Sequence, residues 1–368
     1  MKILTIVGAR PQFIKAAPVS RALRKQHTEV LVHTGQHYDD NMSGVFFREL
    51  GIPTPDYNLE VGSGRHGEQT GLMLQRLEPL AQQEQPDLLL VYGDTNSTLA
   101  GALTAAKLHI PLAHVEAGLR SFDRRMPEEV NRVVADQLSN LLFCPTRTAV
   151  DNLKREGIGS VPQVEQRIYE VGDVMYDAVL HNLALAEAKA APLFATLGLR
   201  PQGYTLATVH RAANTDDPAR LRSIVAALAR IGSAEQPVVF PLHPRTRKVM
   251  AALGIETGAG IELIEPVGYL EMLNLERNAR LIITDSGGVQ KEAYFLAVPC
   301  LTLRDETEWV ETVANGWNRL VGTDTDKIVA AARDVGAQFT ALIPPPPLFG
   351  DGHAGERIAQ LIGLKIKD

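Results

Sequence analysis

The sequence predicts an α/β protein built from two doubly wound, Rossmann-like halves, and three observations carry that prediction. Short Leu-, Val- and Ile-rich runs recur along all 368 residues. They are continuous rather than alternating, as strands buried on both faces of a parallel sheet must be. Helical patterns lie between most of them, and strand, helix, strand repeated along a chain means right-handed crossovers within parallel sheets.

Taken in order, the first half offers ILTIVGA, VLVHTG, LLLVYGD, PLAHVEA and LLFCPT as strands. FIKAAPVSRALRKQ and NSTLAGALTAAKL read as helices among them. The second half offers TLATVH, PVVFPLH, IELIEP, RLIITDS and PCLTLRD, with PARLRSIVAALARI and GVQKEAYFLAV as helices. The seam between the halves is expected near YEVGDVMYDAV, giving domains at 1–172 and 173–350. A loop and a last amphipathic helix, FGDGHAGERIAQLIGLKI, follow the proline run at 344–347.

Composition narrows the class. There are 37 Lys and Arg against 43 Asp and Glu, a net charge of -6, with no basic tail or stripe, which argues against general nucleic-acid binding. No run approaches the ~18 apolar residues of a membrane span. MKILTIVGARPQF reads as a first strand rather than a signal peptide. Cys144 and Cys300 each stand alone beside an apolar run, so buried thiols and a cytoplasmic setting are expected.

Polar residues gather at the carboxyl ends of the strands, the edge at which doubly wound sheets bind ligands. Two such edges facing one another would form a cleft. In TDSGGVQKE, Ser286, Gly287 and Gly288 open a helix after a strand, where backbone N–H groups can approach a phosphate. Glu292, one turn on, could accept two ribose hydroxyls; the plainer reading is a tight turn with a capping serine. GARPQFIK has one glycine where a dinucleotide fingerprint needs more, which weakens a nicotinamide reading. Its Arg10 and Lys15 suit a diphosphate or equally a surface ion pair. His210 and His243 each end a strand beside an arginine, which tilts them towards anion contacts. No His/Cys spacing supports a metal. Asp94 and Glu116 end neighbouring strands and could divide acid and base roles, or serve as caps and ion pairs.

Together GARPQFIK, GDTNSTLAG, HVEAGLRS, MPEEVNR, TVHRAANTDD, LHPRTR, TDSGGVQKE and FGDGHAGERI resemble the non-hydrolysing UDP-N-acetylglucosamine 2-epimerase family, in order and over nearly the whole chain. The resemblance implies a GT-B architecture, two Rossmann-like domains with an interdomain cleft and the C-terminal helix, 351–368, packing back on the first. It implies a homodimer acting on a UDP-sugar without metal or nicotinamide. Residue by residue, it implies that Asp94, Glu116 and Glu128 are the acid/base and charge-stabilising carboxylates. Arg10, Lys15, His210 and Ser286 would stabilise the diphosphate, with Gly287 and Gly288 at the same turn. Arg132 would bind the sugar or steady a carboxylate, Glu292 the ribose, and His243 would lie on the nucleotide side.

Two departures bear on the sugar. RDETEWVE stands where the family commonly has RDTTERPE, so Trp309 replaces an arginine and is a candidate substrate selector. QHYDDNMSG, 36–44, replaces a segment that helps bind an activating substrate molecule. Both resemble the subgroup acting on UDP-2,3-diacetamido-2,3-dideoxy-glucuronate, the alternative substrate. A GT-B glycosyltransferase is the more distant alternative, and a non-catalytic nucleotide-sugar sensor the last.

Overall fold

The structure is a computed structural model that describes residues 1–36, 51, 53–161, 165–338 and 345–365. The chain forms two compact units, Met1–Leu180 with Pro347–Asp368, and His181–Pro346.

Unit one contains β1 (Lys2–Val7), α1 (Arg10–Leu23), β2 (Thr28–His33), β3 (Tyr57–Asn58), α2 (His66–Glu84), β4 (Leu88–Tyr92), α3 (Asn96–Lys107), β5 (Leu112–Val115), α4 (Pro127–Leu138), β6 (Leu141–Cys144), α5 (Arg147–Arg155) and β7 (Arg167–Glu170). The next helix, α6 (Val174–Leu197), spans the change of unit. Unit two contains β8 (Thr205–Thr208), α7 (Ala212–Thr215), α8 (Pro218–Ile231), β9 (Val238–Pro241), α9 (Pro244–Ala252), β10 (Ile261–Ile264), α10 (Tyr269–Arg277), β11 (Leu281–Thr284), α11 (Gly287–Phe295), β12 (Cys300–Thr302), α12 (Val310–Ala314), β13 (Asn318–Leu320) and α13 (Thr325–Gln338). The final helix, α14 (Ala354–Lys365), belongs to unit one, where it packs along α1.

Both expected sheets are present. The first has the order β3-β2-β1-β4-β5-β6-β7 and the second β10-β9-β8-β11-β12-β13. Every strand pairing among the described residues is parallel. In each sheet the order reverses beside the unit's first strand, at β1/β4 and at β8/β11, and crevices open at such switch points.

The continuous apolar runs behave as expected. In unit two Ala207, Phe240 and Ile283 join one core cluster, while their neighbours Leu206, Val239 and Ile282 join another. Successive side chains point to opposite faces, and both faces are covered. Side-chain caps start several helices. Thr146 accepts from the Ala149 N–H, and Asp217 accepts from Ala219 and Arg220 with Pro218 following. Asp177 accepts the Ala354 N–H at 3.1 Å and the Gly355 N–H at 2.7 Å, which fastens the start of α14. Cys144 and Cys300 are buried free thiols, and burial pushes the Cys300 thiol up to about 12.

Candidate active site

In unit one the polar residues after β1, β4 and β5 stand side by side because those strands are neighbours. Gln12, on the first turn of α1, closes the GARPQ turn. Its Oε1 accepts from the Gly8 N–H at 2.8 Å and the Ala9 N–H at 3.1 Å, and its Nε2 donates to the Tyr92 carbonyl at 2.8 Å. Those two N–H groups are therefore spent on a side chain. Lys15, further along α1, forms an ion pair with Glu116. Arg10 opens the same helix, but its side chain lies outside the described residues. Of the segment 36–44 only Gln36 is described, and its Oε1 accepts from the Ser97 N–H at 3.1 Å.

Glu116 follows β5 with a φ of 71°, in the left-handed region that a side chain of this size rarely adopts. Such a backbone costs about 1–3 kcal/mol and persists where the surroundings over-determine it. Here the Glu116 and Ala117 N–H groups both donate to the Phe143 carbonyl, at 3.0 and 3.1 Å. Gly93, after β4, has a φ of 60°, and a Cβ there would stand 3.1 Å from Glu116 Oε2 and 3.2 Å from Lys15 Nζ.

Asp94 comes next and pairs with Arg132 of α4. Arg132 Nη1 also donates to Glu129 Oε2 at 3.0 Å. The structure thus gathers Lys15, Asp94, Glu116 and Arg132 around one sheet edge. Among the described residues no hydrogen bond or ion pair ties Glu128 to them: Glu128 is exposed on the first turn of α4, and its neighbour Glu129 is the buried acid.

A second charged network lies beneath. His114 is wholly buried, with Nδ1 2.7 Å from Asp136 Oδ1 and Nε2 2.7 Å from the Gly93 carbonyl. Asp136 Oδ2 accepts from Arg120 Nη1 at 2.6 Å and from the Gly118 N–H at 3.1 Å. Burial works against the Asp136 charge, but His114 and Arg120 outweigh it and hold the carboxyl below its usual range. Arg120, also buried, is raised: burial opposes its charge, and Glu156 and Asp136 more than compensate. No sequence motif gives His114 or Asp136 a role. The signal available was an acid, Asp136, on the apolar face of a helix, where only a buried partner makes it tolerable.

In unit two the ends of β9, β8 and β11 are likewise adjacent. His243 caps α9, its Nδ1 accepting from the Arg245 N–H at 3.2 Å. The exposed rings of His210 and His243 lie 6.5 Å apart. Asp285, fully buried, accepts from the His210 N–H at 3.2 Å, the Arg211 N–H at 3.1 Å and Asn214 Nδ2 at 3.1 Å, and so fixes the HRAAN turn. Ser286 is the N-cap of α11, accepting from the Val289 N–H at 3.4 Å. That is the plainer of its two readings, and it leaves the helix dipole aimed past Gly287. A Cβ on Gly287 would meet Glu308 Oε1 at 2.6 Å, so the backbone is approached closely by an anionic group, itself held by Arg304 at 3.0 Å. Glu292 is buried one turn into α11.

Trp309 is buried beneath Lys291, whose Nζ lies 4.0 Å from the ring centroid. It meets the start of α11 rather than open solvent, since its Nε1 would be 3.4 Å from a Cβ on Gly287. Among the described residues no group of three or more His, Cys, Asp or Glu could hold a metal ion. No described helix is long and apolar enough to cross a membrane.

The chain matches the family described as UDP-N-acetylglucosamine 2-epimerase over residues 21–363. It is 54% identical, over 98% of its length and 99% of the other's, to the UDP-2,3-diacetamido-2,3-dideoxy-D-glucuronate 2-epimerase of Pseudomonas aeruginosa. It is 53% identical, over 98% and 99%, to a UDP-N-acetylglucosamine 2-epimerase homolog of Methanococcus maripaludis. Among solved structures, the Methanocaldococcus jannaschii UDP-GlcNAc 2-epimerase in complex with UDP-GlcNAc and UDP superposes with a TM-score of 0.89 at 47% identity, over 99% of this chain and all of that one.

Proposed function

This chain belongs to the UDP-N-acetylglucosamine 2-epimerase family, and from that premise we propose that it inverts C2 of a UDP-linked 2-acetamido sugar without hydrolysing it. The observation that carries the proposal is the edge of unit one, where two carboxylates from adjacent strands, Asp94 and Glu116, each pair with a cation, Arg132 and Lys15.

The C2 hydrogen is not adjacent to a carbonyl and is only weakly acidic. Elimination removes that obstacle. The anomeric C–O bond breaks, its electron pair leaves with UDP, and the C2–H pair becomes the C1=C2 bond of a 2-acetamidoglucal while a carboxylate takes the proton. A proton then returns to C2 from the other face and UDP adds back to C1. Two faces need two groups, and Asp94 and Glu116 supply them, with Glu128 a third carboxylate available to the charge that develops at C1. The sequence changes no oxidation state overall, so it calls for no hydride carrier.

The leaving group needs fixed cations and N–H dipoles where charge develops. In unit two His210, His243 and the Ser286-Gly287-Gly288 start of α11 meet that need, and Glu292 would take the ribose hydroxyls. In unit one Lys15, with Arg10, would serve the same charge. Family membership also implies a homodimer, which light scattering measures.

We take UDP-N-acetylglucosamine as the substrate. A second reading, the 2,3-diacetamido uronate, is favoured by the 54% identity to the Pseudomonas aeruginosa enzyme and by Trp309. Incubation with each UDP-sugar in deuterated water decides between them, since an epimerase places deuterium at C2 with no acceptor present. If both sugars keep their C2 proton while an added acceptor is glycosylated, the proposal is wrong. Asp94→Asn and Glu116→Gln should each slow exchange at least ~100-fold.

A further inference from the structure

Two acids begin α4, and the structure buries the second. Glu129 is 1% exposed. Its Oε2 accepts from the Ser121 N–H at 3.0 Å, the Ser121 hydroxyl at 3.1 Å and Arg132 Nη1 at 3.0 Å, and its Oε1 accepts from the Phe122 N–H at 3.0 Å. Four donors on one buried carboxylate offset a desolvation cost of several kcal/mol per ion. An apolar residue would fill the space without that cost, so the charge serves placement.

What it places lies on two sides. On one, Arg132 is shared between Glu129 and Asp94. A guanidinium is a rigid planar fork, so the partner on one branch sets where the other branch points. Glu129 is enclosed, whereas the Asp94 side chain is 26% exposed, so the enclosed end is fixed and the reacting end follows. On the other side, Glu129 holds the turn at Phe122, which has a φ of 60° and is 69% exposed. A left-handed backbone at a residue of that size costs about 1–2 kcal/mol.

We propose that Glu129 is a positioning residue of the epimerisation: its carboxylate fixes Arg132 and through it Asp94, and ties that pair to the Ser121–Phe122 turn. The proposal rests on the reaction assigned above, but its test is separable from it.

The test is a double-mutant cycle of Glu129→Gln and Arg132→Ala, read by deuterium incorporation at C2, by UDP affinity and by thermal unfolding. Gln keeps the size and one acceptor but loses the charge. Glu129→Gln should lower kcat about 10–100-fold, the scale of a misplaced reacting group, while UDP affinity stays within about twofold. In the Arg132→Ala background the same change should lower kcat less than about threefold, because the route from Glu129 to Asp94 is already cut. A purely structural acid would lower the unfolding temperature, leave kcat per folded molecule intact and add in full in the double variant, and either result overturns the proposal. Should Glu129→Gln not fold, Glu129→Asp, which keeps the charge but retracts it by one methylene, must lower kcat about fivefold or more with UDP affinity unchanged. Wild type that exchanges neither sugar sinks the reaction itself, and Glu129's role with it. Wild type that exchanges while both variants match it sinks Glu129 alone.

Discussion

A methyl group added at Gly93 would stand against the Lys15–Glu116 pair. The backbone there has a φ of 60°, and the new Cβ would lie 3.1 Å from Glu116 Oε2 and 3.2 Å from Lys15 Nζ. Two costs follow. Holding alanine in the left-handed region takes about 1 kcal/mol, a shift of roughly 1–2 °C in unfolding temperature for a protein of this size. Relieving the contact moves the two side-chain ends by a few tenths of an ångström. Since ~1 Å of misplacement can cost ~100-fold in rate, Gly93→Ala should lower kcat about tenfold. Gly157→Ala is the control. It has a φ of 79° and nothing within 4 Å of the added Cβ, so it should lose the same stability and no activity. C2 deuterium exchange and a thermal melt measure both quantities on one sample. If Gly93→Ala melts lower but turns over within twofold of wild type, the position of Glu116 does not set the rate and the reasoning fails.

Arg120→Ala would leave Asp136 charged and buried, and urea unfolding should show a loss of about 3–5 kcal/mol; a loss under 1 kcal/mol would mean the pair is replaceable by water. Because Asp136 is depressed in the fold, its share of stability is present above its unfolded value of about 3.9 and is lost as pH falls through the folded value. Wild type should therefore weaken below about pH 4 more steeply than Asp136→Asn, and equal slopes would contradict this. Asp177 works in the opposite sense, since burial raises it: its share is least favourable at neutral pH and improves as pH falls through the folded value. Asp285→Ala frees the His210 and Arg211 N–H groups and should weaken UDP binding about tenfold by calorimetry, against no change if the HRAAN turn is irrelevant to the nucleotide. Ala297, just past the end of α11, has a φ of 53°, so Ala297→Gly should stabilise unit two by roughly 0.5–1 kcal/mol in chemical unfolding.

All ten apolar runs read from the sequence became strands; nine are interior strands, where cover on both faces favours apolar side chains, and β10 is an edge strand with Leu263 exposed. The three described strands that the pattern did not reveal, β3, β7 and β13, all lie at sheet edges. Tyr57–Asn58 and Arg167–Glu170 are part-exposed, so nothing obliges their residues to be apolar. The site followed the same logic. Strand-end residues such as Asp94, Glu116, His210 and Ser286 were legible because strand order brings their termini to one edge. The partners of Glu129, His114 and Asp285 were not legible: His114 and Asp285 bond to groups 21 to 75 residues away in the chain, and Glu129 bonds across a turn 8 residues back as well as to Arg132, 3 residues on. A sequence gives no reason to choose the second of two adjacent glutamates until a helix phase decides which one faces inward.

The placement of α14 sets an order of assembly. Unit two is one uninterrupted stretch, His181–Pro346, so all of its residues have been made before α14 is. Unit one is begun first and completed last. Ile358, Ala359 and Ile362 are buried, and a Cβ on Gly355 would stand 3.0 Å from the Pro18 carbonyl of α1, so the groove of α1 stays uncovered until α14 is made. Domains usually mature from the amino terminus onward. In this chain the edge that holds Asp94 and Glu116 lies in the unit that waits, so a transcript cut after Pro346 would encode a whole second unit and an unfinished first.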